Sequence, residues 1–130
     1  MIVLDSHIWF WWVSGERGRL SRDLLEALAA EPVVGVSPVS CFEIALAARR
    51  GRLELPVDAR TWVLQALRPS GIELLPLDAA IAVRAVELRE HHRDPFDRII
   101  IATALAFDAR LASVDAAFAA YDELAGRVLS

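Results

Sequence analysis

Short apolar runs alternate with longer stretches that carry helix signals. The apolar runs, of which the first three are rich in β-branched residues, predict strands at 2–4, 33–36, 72–77, 110–112 and 127–129. Residues that favour helix starts open the stretches between the strands: Ser21, Pro38, Asp58, Asp78 and Asp94-Pro95. The helices that begin at Ser21, Pro38, Asp78 and Asp94-Pro95 are expected to reach about Ala30, Arg50, Glu90 and Phe107, respectively. This alternation predicts an α/β fold with a mainly parallel five-stranded sheet covered on both faces.

Acidic residues follow several of these strands, at the edge where parallel sheets bind ligands. Asp5 directly follows the first strand, and Asp115 follows the fourth. Glu43 lies in the helix after the second strand among apolar helical neighbours, where an unpaired carboxylate is costly. The helix opened by Asp94 leads into the fourth strand, so we expect it to begin at the same edge and to bring Asp97 beside Asp5.

Each of these acids also has a purely structural interpretation. Asp5, Asp94 and Asp115 stand where a helix N-cap is expected, and Asp97 suits the first turn of a helix. For Glu43 the structural alternative is a partly exposed glutamate near a helix start. Asp78 also lies just past a strand, and spacing alone does not decide which carboxylates converge. Both interpretations stay open at this point.

If the carboxylates do converge, their chemistry favours a hard cation. Packed carboxylates repel one another, and a bound cation removes that penalty. Oxygen ligands without His or Cys partners suit Mg²⁺ or Mn²⁺ rather than Zn²⁺. Such an ion activates water and offsets charge on phosphate, which is the chemistry of metal-assisted phosphodiester cleavage.

Composition narrows the function classes. The 130 residues suit one domain, 1–130, and all 14 basic residues are arginine, which excludes a P-loop NTPase or a Schiff-base enzyme. A single cysteine, Cys41, favours a reducing, cytoplasmic setting. No run approaches the ~20 apolar residues of a membrane span.

The net charge of −4 argues against nucleic-acid binding, although arginines cluster locally. One group is Arg17, Arg19 and Arg22, and the other is Arg49, Arg50 and Arg52. Capping of a helix C-terminus is the alternative role for Arg49 and Arg50.

Four consecutive aromatic residues, Trp9 to Trp12, fall in the first helix. Because they cover every side of a helix, they cannot all pack in one core. We expect core packing together with a partner interface, and a base-stacking platform is the alternative. For His7 we expect a structural or phosphate-adjacent role rather than acid–base catalysis.

Four segments together resemble PIN-domain ribonucleases, most closely VapC-type toxins of bacterial toxin–antitoxin pairs. They are Val3-Leu4-Asp5-Ser6-His7, Ser40-Cys41-Phe42-Glu43-Ile44, His92-Arg93-Asp94-Pro95-Phe96-Asp97-Arg98 and Leu111-Ala112-Ser113-Val114-Asp115. The resemblance implies a three-layer α/β/α domain, endoribonuclease activity dependent on Mg²⁺ or Mn²⁺, a cognate antitoxin and a homodimer.

The resemblance also implies an acidic catalytic and metal site at Asp5, Glu43, Asp97 and Asp115. It assigns Asp94 to the helix cap, leaves Asp78 outside the pattern, and places supporting hydroxyls at Ser6 and Ser113. The alternative function is a non-catalytic PIN-like module that binds RNA or protein. A flap-nuclease-like enzyme acting on DNA is less favoured, because the chain is short.

Overall fold

The central feature of the molecule is a parallel β-sheet. In a computed structural model of the chain, which describes residues 1–89 and 94–130, five strands hydrogen-bond in the order β3-β2-β1-β4-β5, and every pairing is parallel. The strands are β1 (Ile2–Leu4), β2 (Val34–Val36), β3 (Ile72–Leu74), β4 (Arg110–Ala112) and β5 (Val128–Leu129).

Within the described residues, six α-helices cover the sheet. They are α1 (Ser6–Val13), α2 (Arg22–Ala30), α3 (Pro38–Arg49), α4 (Ala59–Ala66), α5 (Ala79–Glu87) and α6 (Pro95–Ala106). Short 3₁₀ turns lie at Arg17–Arg19, Ala116–Ala120 and Asp122–Leu124. None of these helices, over the part of the chain that is described, is long and apolar enough to span a bilayer.

Two apolar cores lie on opposite faces of the sheet, which explains why the strands are apolar throughout rather than alternating. Ile2 and Leu4 of β1 face the core that α1, α2 and α4 cover, whereas Val3 faces the core built with α5 and α6. All three side chains are fully buried. The predicted three-layer α/β/α arrangement is confirmed, and the sheet is wholly parallel.

The helices begin where capping residues predict. Ser21, Asp58 and Asp78 each accept a hydrogen bond from the backbone N–H three residues ahead. Such a cap satisfies an N–H that the first helical turn leaves without a partner, and it depends only on neighbouring residues.

Two elements end earlier than the sequence pattern predicts. β3 stops at Leu74 rather than at residue 77, because Pro76 has no N–H with which to continue the ladder. Helix α5 stops at Glu87 rather than near Glu90, which lies outside the described residues. There the Arg98 guanidinium of α6 donates to the carbonyls of Ala85, Val86 and Leu88 and stabilises the early end.

The strand order fixes where a ligand would bind. The chain passes from β1 outward to β2 and β3, and then returns to β4 on the other side of β1. A crevice forms at the carboxyl ends of the strands, where the connections leave in opposite directions. Asp5, the first residue after β1, lies at that point.

Candidate functional site

Four elements bring acidic side chains to the carboxyl edge of the sheet. Asp5 follows β1, and Asp115 follows its neighbour β4. Helix α3, which leaves β2, carries Glu43, and α6 begins at this edge with Asp97 in its first turn. The topology therefore places all four predicted site residues at the carboxyl edge of the sheet.

Three carboxylates come closest together and form what we call the acid cluster: Glu43, Asp94 and Asp97. One oxygen from each lies within 4.8 Å of one from each of the others. Glu43 and Asp97 are half-buried, and Asp94 is exposed. Carboxylates this close repel one another unless protons or cations lie between them.

The electrostatics link Asp5 and Asp115 to the acid cluster. Burial, followed by the charges of Asp94, Glu43, Asp5 and Asp115, raises the pKa of Asp97 to about 7. Because all four neighbours contribute to this one shift, their carboxylates share a common field around Asp97. The side chains of Asp5 and Asp97, 92 positions apart in sequence, thus interact electrostatically in the folded chain.

Asp5 is the most deeply buried of these acids, at 5% exposure. Burial raises the pKa of its carboxyl group, while hydrogen bonds with Ser113 and with the Ile8 N–H oppose the rise. The Ile8 bond, 2.8 Å long, also caps α1. Ser113 also accepts a hydrogen bond from the Asp115 N–H at 3.0 Å. Because Ser113 follows β4 and hydrogen-bonds with Asp5, it connects the ends of β1 and β4.

A chain of hydroxyl groups orients Glu43. Ser6 Oγ lies 2.7 Å from Glu43 Oε1 and 2.9 Å from Ser40 Oγ. A hydroxyl has one proton and an ionised carboxylate only accepts, so with Glu43 charged Ser6 donates to Glu43 and accepts from Ser40. Burial raises the pKa of Glu43, and the Ser6 hydrogen bond partly counteracts this.

Asp94 and Asp115 each cap a helix and also lie at the acidic edge of the sheet. Asp94 Oδ1 accepts from the Phe96 N–H at 2.9 Å, and Asp115 Oδ1 accepts from the Ala117 N–H at 2.9 Å. A carboxylate has two oxygens and about four lone pairs, so capping uses only part of its capacity. The two interpretations left open by the sequence are therefore compatible.

Asp94 is the residue that sequence reasoning left out of the site. It caps α6 as expected, and it also belongs to the acid cluster. The signal was its spacing from Asp97, because residues three apart lie on the same side of a helical turn. Asp78 caps α5 and lies outside the acid cluster. His92 and Arg93, which belong to the third of the four segments that carry the resemblance, lie outside the described residues.

The donor set of the acid cluster fits a hard divalent cation. All of its ligand atoms are carboxylate oxygens, and the pKa of Asp97 is raised by burial and by the negative charges concentrated around it. Mg²⁺ and Mn²⁺ prefer oxygen ligands and are bound by few carboxylates together with water.

A groove of about 910 Å³ runs from the acid cluster along α1 and the end of α3. Glu43 and Asp94 line one part of it, and Arg19, Arg50 and Arg52 line another. Members of both arginine groups noted in the sequence thus face one groove, although more than 25 residues separate them along the chain.

The aromatic residues of α1 divide between the core and this groove. Trp9 is fully buried and packs edge-on against Trp62 with ring centroids 5.2 Å apart. Phe10 contacts Trp62 and also lines the groove, as does Trp11, which lies beside His7; both side chains are half-buried. The core packing expected for this segment is present at Trp9.

Comparison with known proteins gives concordant matches. A family model for the PIN domain matches residues 2–124. Ribonuclease VapC22 of Mycobacterium tuberculosis (strain ATCC 25618 / H37Rv) is 32% identical over 115 residues, a match that covers 88% of this chain and 86% of that protein.

Solved structures with the same fold include two that are described as complexes. The crystal structure of VapBC2 from Rickettsia felis, bound to a DNA fragment from their promoter, matches with a TM-score of 0.71 and 18% identity, covering 99% of this chain and 98% of that one. A toxin–antitoxin complex from Klebsiella pneumoniae matches with a TM-score of 0.65 and 22% identity, covering 100% and 97%.

Proposed function

The chain belongs to the PIN domain family, and from this membership and the site geometry we propose that it is a divalent-metal-dependent endoribonuclease, the toxin of a toxin–antitoxin pair. The observation that carries the proposal is the acid cluster, in which carboxylate oxygens of Glu43, Asp94 and Asp97 lie within 4.8 Å of one another. A site that concentrates negative charge at a ligand-binding sheet edge is suited to a cation and to a substrate that the cation attracts.

In this proposal Glu43, Asp94, Asp97 and Asp5 hold Mg²⁺ or Mn²⁺, and Asp115 completes the acidic field. An ion bound there would supply Lewis acidity, lowering the pKa of water and offsetting charge on the phosphate. The hydroxyls of Ser6 and Ser113 hold Glu43 and Asp5 in place, which limits the rearrangement needed on binding. This assignment adds Asp94 to the four acids predicted from the sequence.

The substrate strand lies in the groove beside the acid cluster. Arg19, Arg50 and Arg52 supply positive charge there, which answers part of the objection raised by the net charge of −4. The phosphodiester to be cleaved then sits at the end of the groove formed by Glu43 and Asp94. His7 lies on the same groove, in keeping with a phosphate-adjacent role.

The test is cleavage of an unstructured RNA pool by the purified chain in Mg²⁺, in Mn²⁺ and in EDTA, with DNA of the same sequences in parallel. We expect RNA cleavage in either metal and none in EDTA. Asp97→Asn and Asp5→Asn should lose cleavage while keeping the wild-type circular dichroism spectrum. Asp78→Asn makes the same change of charge outside the acid cluster and should cleave normally.

Three results would contradict the proposal: equal cleavage in EDTA, full activity of Asp97→Asn, or no turnover of any RNA. The last, combined with RNA affinity that survives both substitutions, would favour the alternative of a non-catalytic binding module. Cleavage restricted to DNA would favour the flap-nuclease-like alternative.

The proposed antitoxin is a small protein encoded next to this chain. The structural relative from Klebsiella pneumoniae is a toxin–antitoxin complex, which supports a partner of this kind. Co-expression with the neighbouring reading frame should give a complex that co-purifies and lacks ribonuclease activity. A neighbouring product that neither binds nor inhibits would argue against the toxin role and leave the ribonuclease activity standing. The homodimer implied by the resemblance stays a prediction.

A further inference from the structure

Part of the groove is lined by flat and cationic side chains rather than by carboxylates. Trp11 and His7 lie four residues apart on α1, with ring centroids separated by 5.7 Å. The Arg19 guanidinium lies over the Trp11 ring, 5.3 Å from its centroid. All three side chains line the groove that Glu43 and Asp94 also line.

We propose that Trp11 and Arg19 form a stacking subsite for one unpaired nucleobase of the RNA strand, close to the phosphodiester that is cleaved; this rests on the proposed ribonuclease function. RNA-binding proteins stack unpaired bases on aromatic rings and on guanidinium planes, and this pair presents both surfaces. The subsite takes an unpaired base, because a base held in a duplex cannot lie against the ring.

The charge balance of the groove explains why stacking is needed. Three arginines line it, but so do Glu16 and Glu54, which leaves a small positive excess outside the acid cluster. Of the ion pairs among residues 1–89 and 94–130, none includes Arg19, Arg50 or Arg52. These arginines can bind phosphates, but attraction of this size does not by itself hold a strand on a protein of charge −4.

The position of Trp11 sets the spacing between subsite and cleavage point. Ser6, which contacts Glu43, lies five residues before Trp11 on the same helix, a rise of about 7.5 Å. A stacked strand advances about 3.4 Å per nucleotide. Along the axis of α1, Trp11 therefore lies about two nucleotide rises from the residue that contacts Glu43.

The experiment measures binding separately from cleavage. Fluorescence anisotropy gives the affinity of the full chain, in Ca²⁺, for a labelled 12-nucleotide adenosine RNA and for the same strand with abasic ribose residues. Gel analysis after each titration confirms that the RNA is intact. We expect the wild type to prefer the strand with bases. Trp11→Ala should lower that affinity by about tenfold to a hundredfold and leave binding of the abasic strand unchanged.

Matched variants separate stacking from packing and from charge. Trp12→Ala removes an indole that does not line the groove, and it should keep the base preference. Trp11→Phe keeps a ring and should retain most of the affinity. Arg50→Ala should weaken the binding of both strands equally and lower by about 1 the slope of log affinity against log salt concentration. Arg68→Ala lies outside the groove and should change neither quantity.

The proposal is overturned if the wild type binds both strands equally, or if Trp11→Ala keeps the wild-type preference. It is also overturned if Trp11→Ala loses affinity for the purified antitoxin and not for RNA, because the surface would then be a protein-binding site. The two proposals fail separately. Base-dependent binding without cleavage of any RNA counts against the ribonuclease function, and cleavage without base-dependent binding counts against the subsite alone.

Discussion

Removal of one negative charge from the acid cluster should stabilise the metal-free protein at neutral pH. The pKa of Asp97 rises from its ordinary value of 3.8 to about 7, chiefly through burial and secondarily through the neighbouring carboxylates. Asp97→Asn keeps the shape of the side chain and cannot ionise. We therefore expect the variant to be more stable than the wild type in EDTA above pH 7.

The direction of the pH dependence follows from the number of protons bound by the folded and the unfolded chain. Between about pH 4 and pH 7 the folded chain keeps the Asp97 proton, whereas the unfolded chain has lost it. Because the unfolded state then binds fewer protons, the free energy of unfolding falls as the pH rises through this range. The raised pKa values of Asp5 and Glu43 act in the same direction.

The stabilisation expected for Asp97→Asn is modest, because solvent screens the charge of a half-buried carboxylate. A pKa that rises from 3.8 to about 7 corresponds to about 4 kcal/mol at most. Asp97 is only half-buried, so solvent screening reduces this to roughly 1–2 kcal/mol. For a chain of 130 residues, that is an increase in Tm of about 4–7 °C.

Thermal unfolding in EDTA at pH 5, 6, 7 and 8 measures the effect, with Asp78→Asn as the control for a change of net charge. The gap between Asp97→Asn and the wild type should widen from pH 5 to pH 7 and level off by pH 8, and Mg²⁺ or Mn²⁺ should narrow it by stabilising the wild type more. A variant no more stable than the wild type at pH 8, or a gap independent of pH, would refute the reasoning.

Three further substitutions test the supporting contacts. Ser6→Ala removes the hydroxyl that holds Glu43 and should weaken metal binding about 10- to 100-fold by calorimetry, with Ser14→Ala unchanged; equal metal affinity would contradict this orienting role. Arg98→Lys keeps the charge but cannot reach the several carbonyls at the end of α5, and it should lower the free energy of urea unfolding by about 2–3 kcal/mol; a loss below about 0.5 kcal/mol would refute the role of the guanidinium. Gly35→Ala places a Cβ 2.5 Å from Leu75 Cδ1 and should cost about 1–3 kcal/mol, whereas Gly18→Ala, with no neighbour within 4 Å, should not; equal stabilities would show that the core yields at this point.

Local features of the fold were predictable from the chain, because they depend on residues close in sequence. The caps at Ser21, Asp58 and Asp78 lie where their side chains predict. The end of α5 was not predictable in this way, because it involves Arg98 from another helix. A contact of that kind leaves no periodic pattern in the sequence.

The candidate site was likewise predictable from the sequence only in part. Strand and helix order alone indicates that Asp5 and Asp97 share one edge, since parallel strands must all end on the same side. The sequence did not show that Asp94 both caps α6 and joins Glu43 and Asp97, because capping already accounted for it. The roles of these residues in binding a metal remain part of the proposal.

The order of residues was enough to specify the parallel α/β architecture, the starts of the helices and the edge at which the acids gather, because hydrophobic period, capping and strand direction are local or topological properties. Three-dimensional packing was needed to establish which carboxylates lie within 4.8 Å of one another, which hydroxyl orients Glu43, and that arginines from two distant segments line one groove. Those relations depend on how helices pack across the sheet. Packing distances are set by many side chains at once, so no short stretch of sequence contains them.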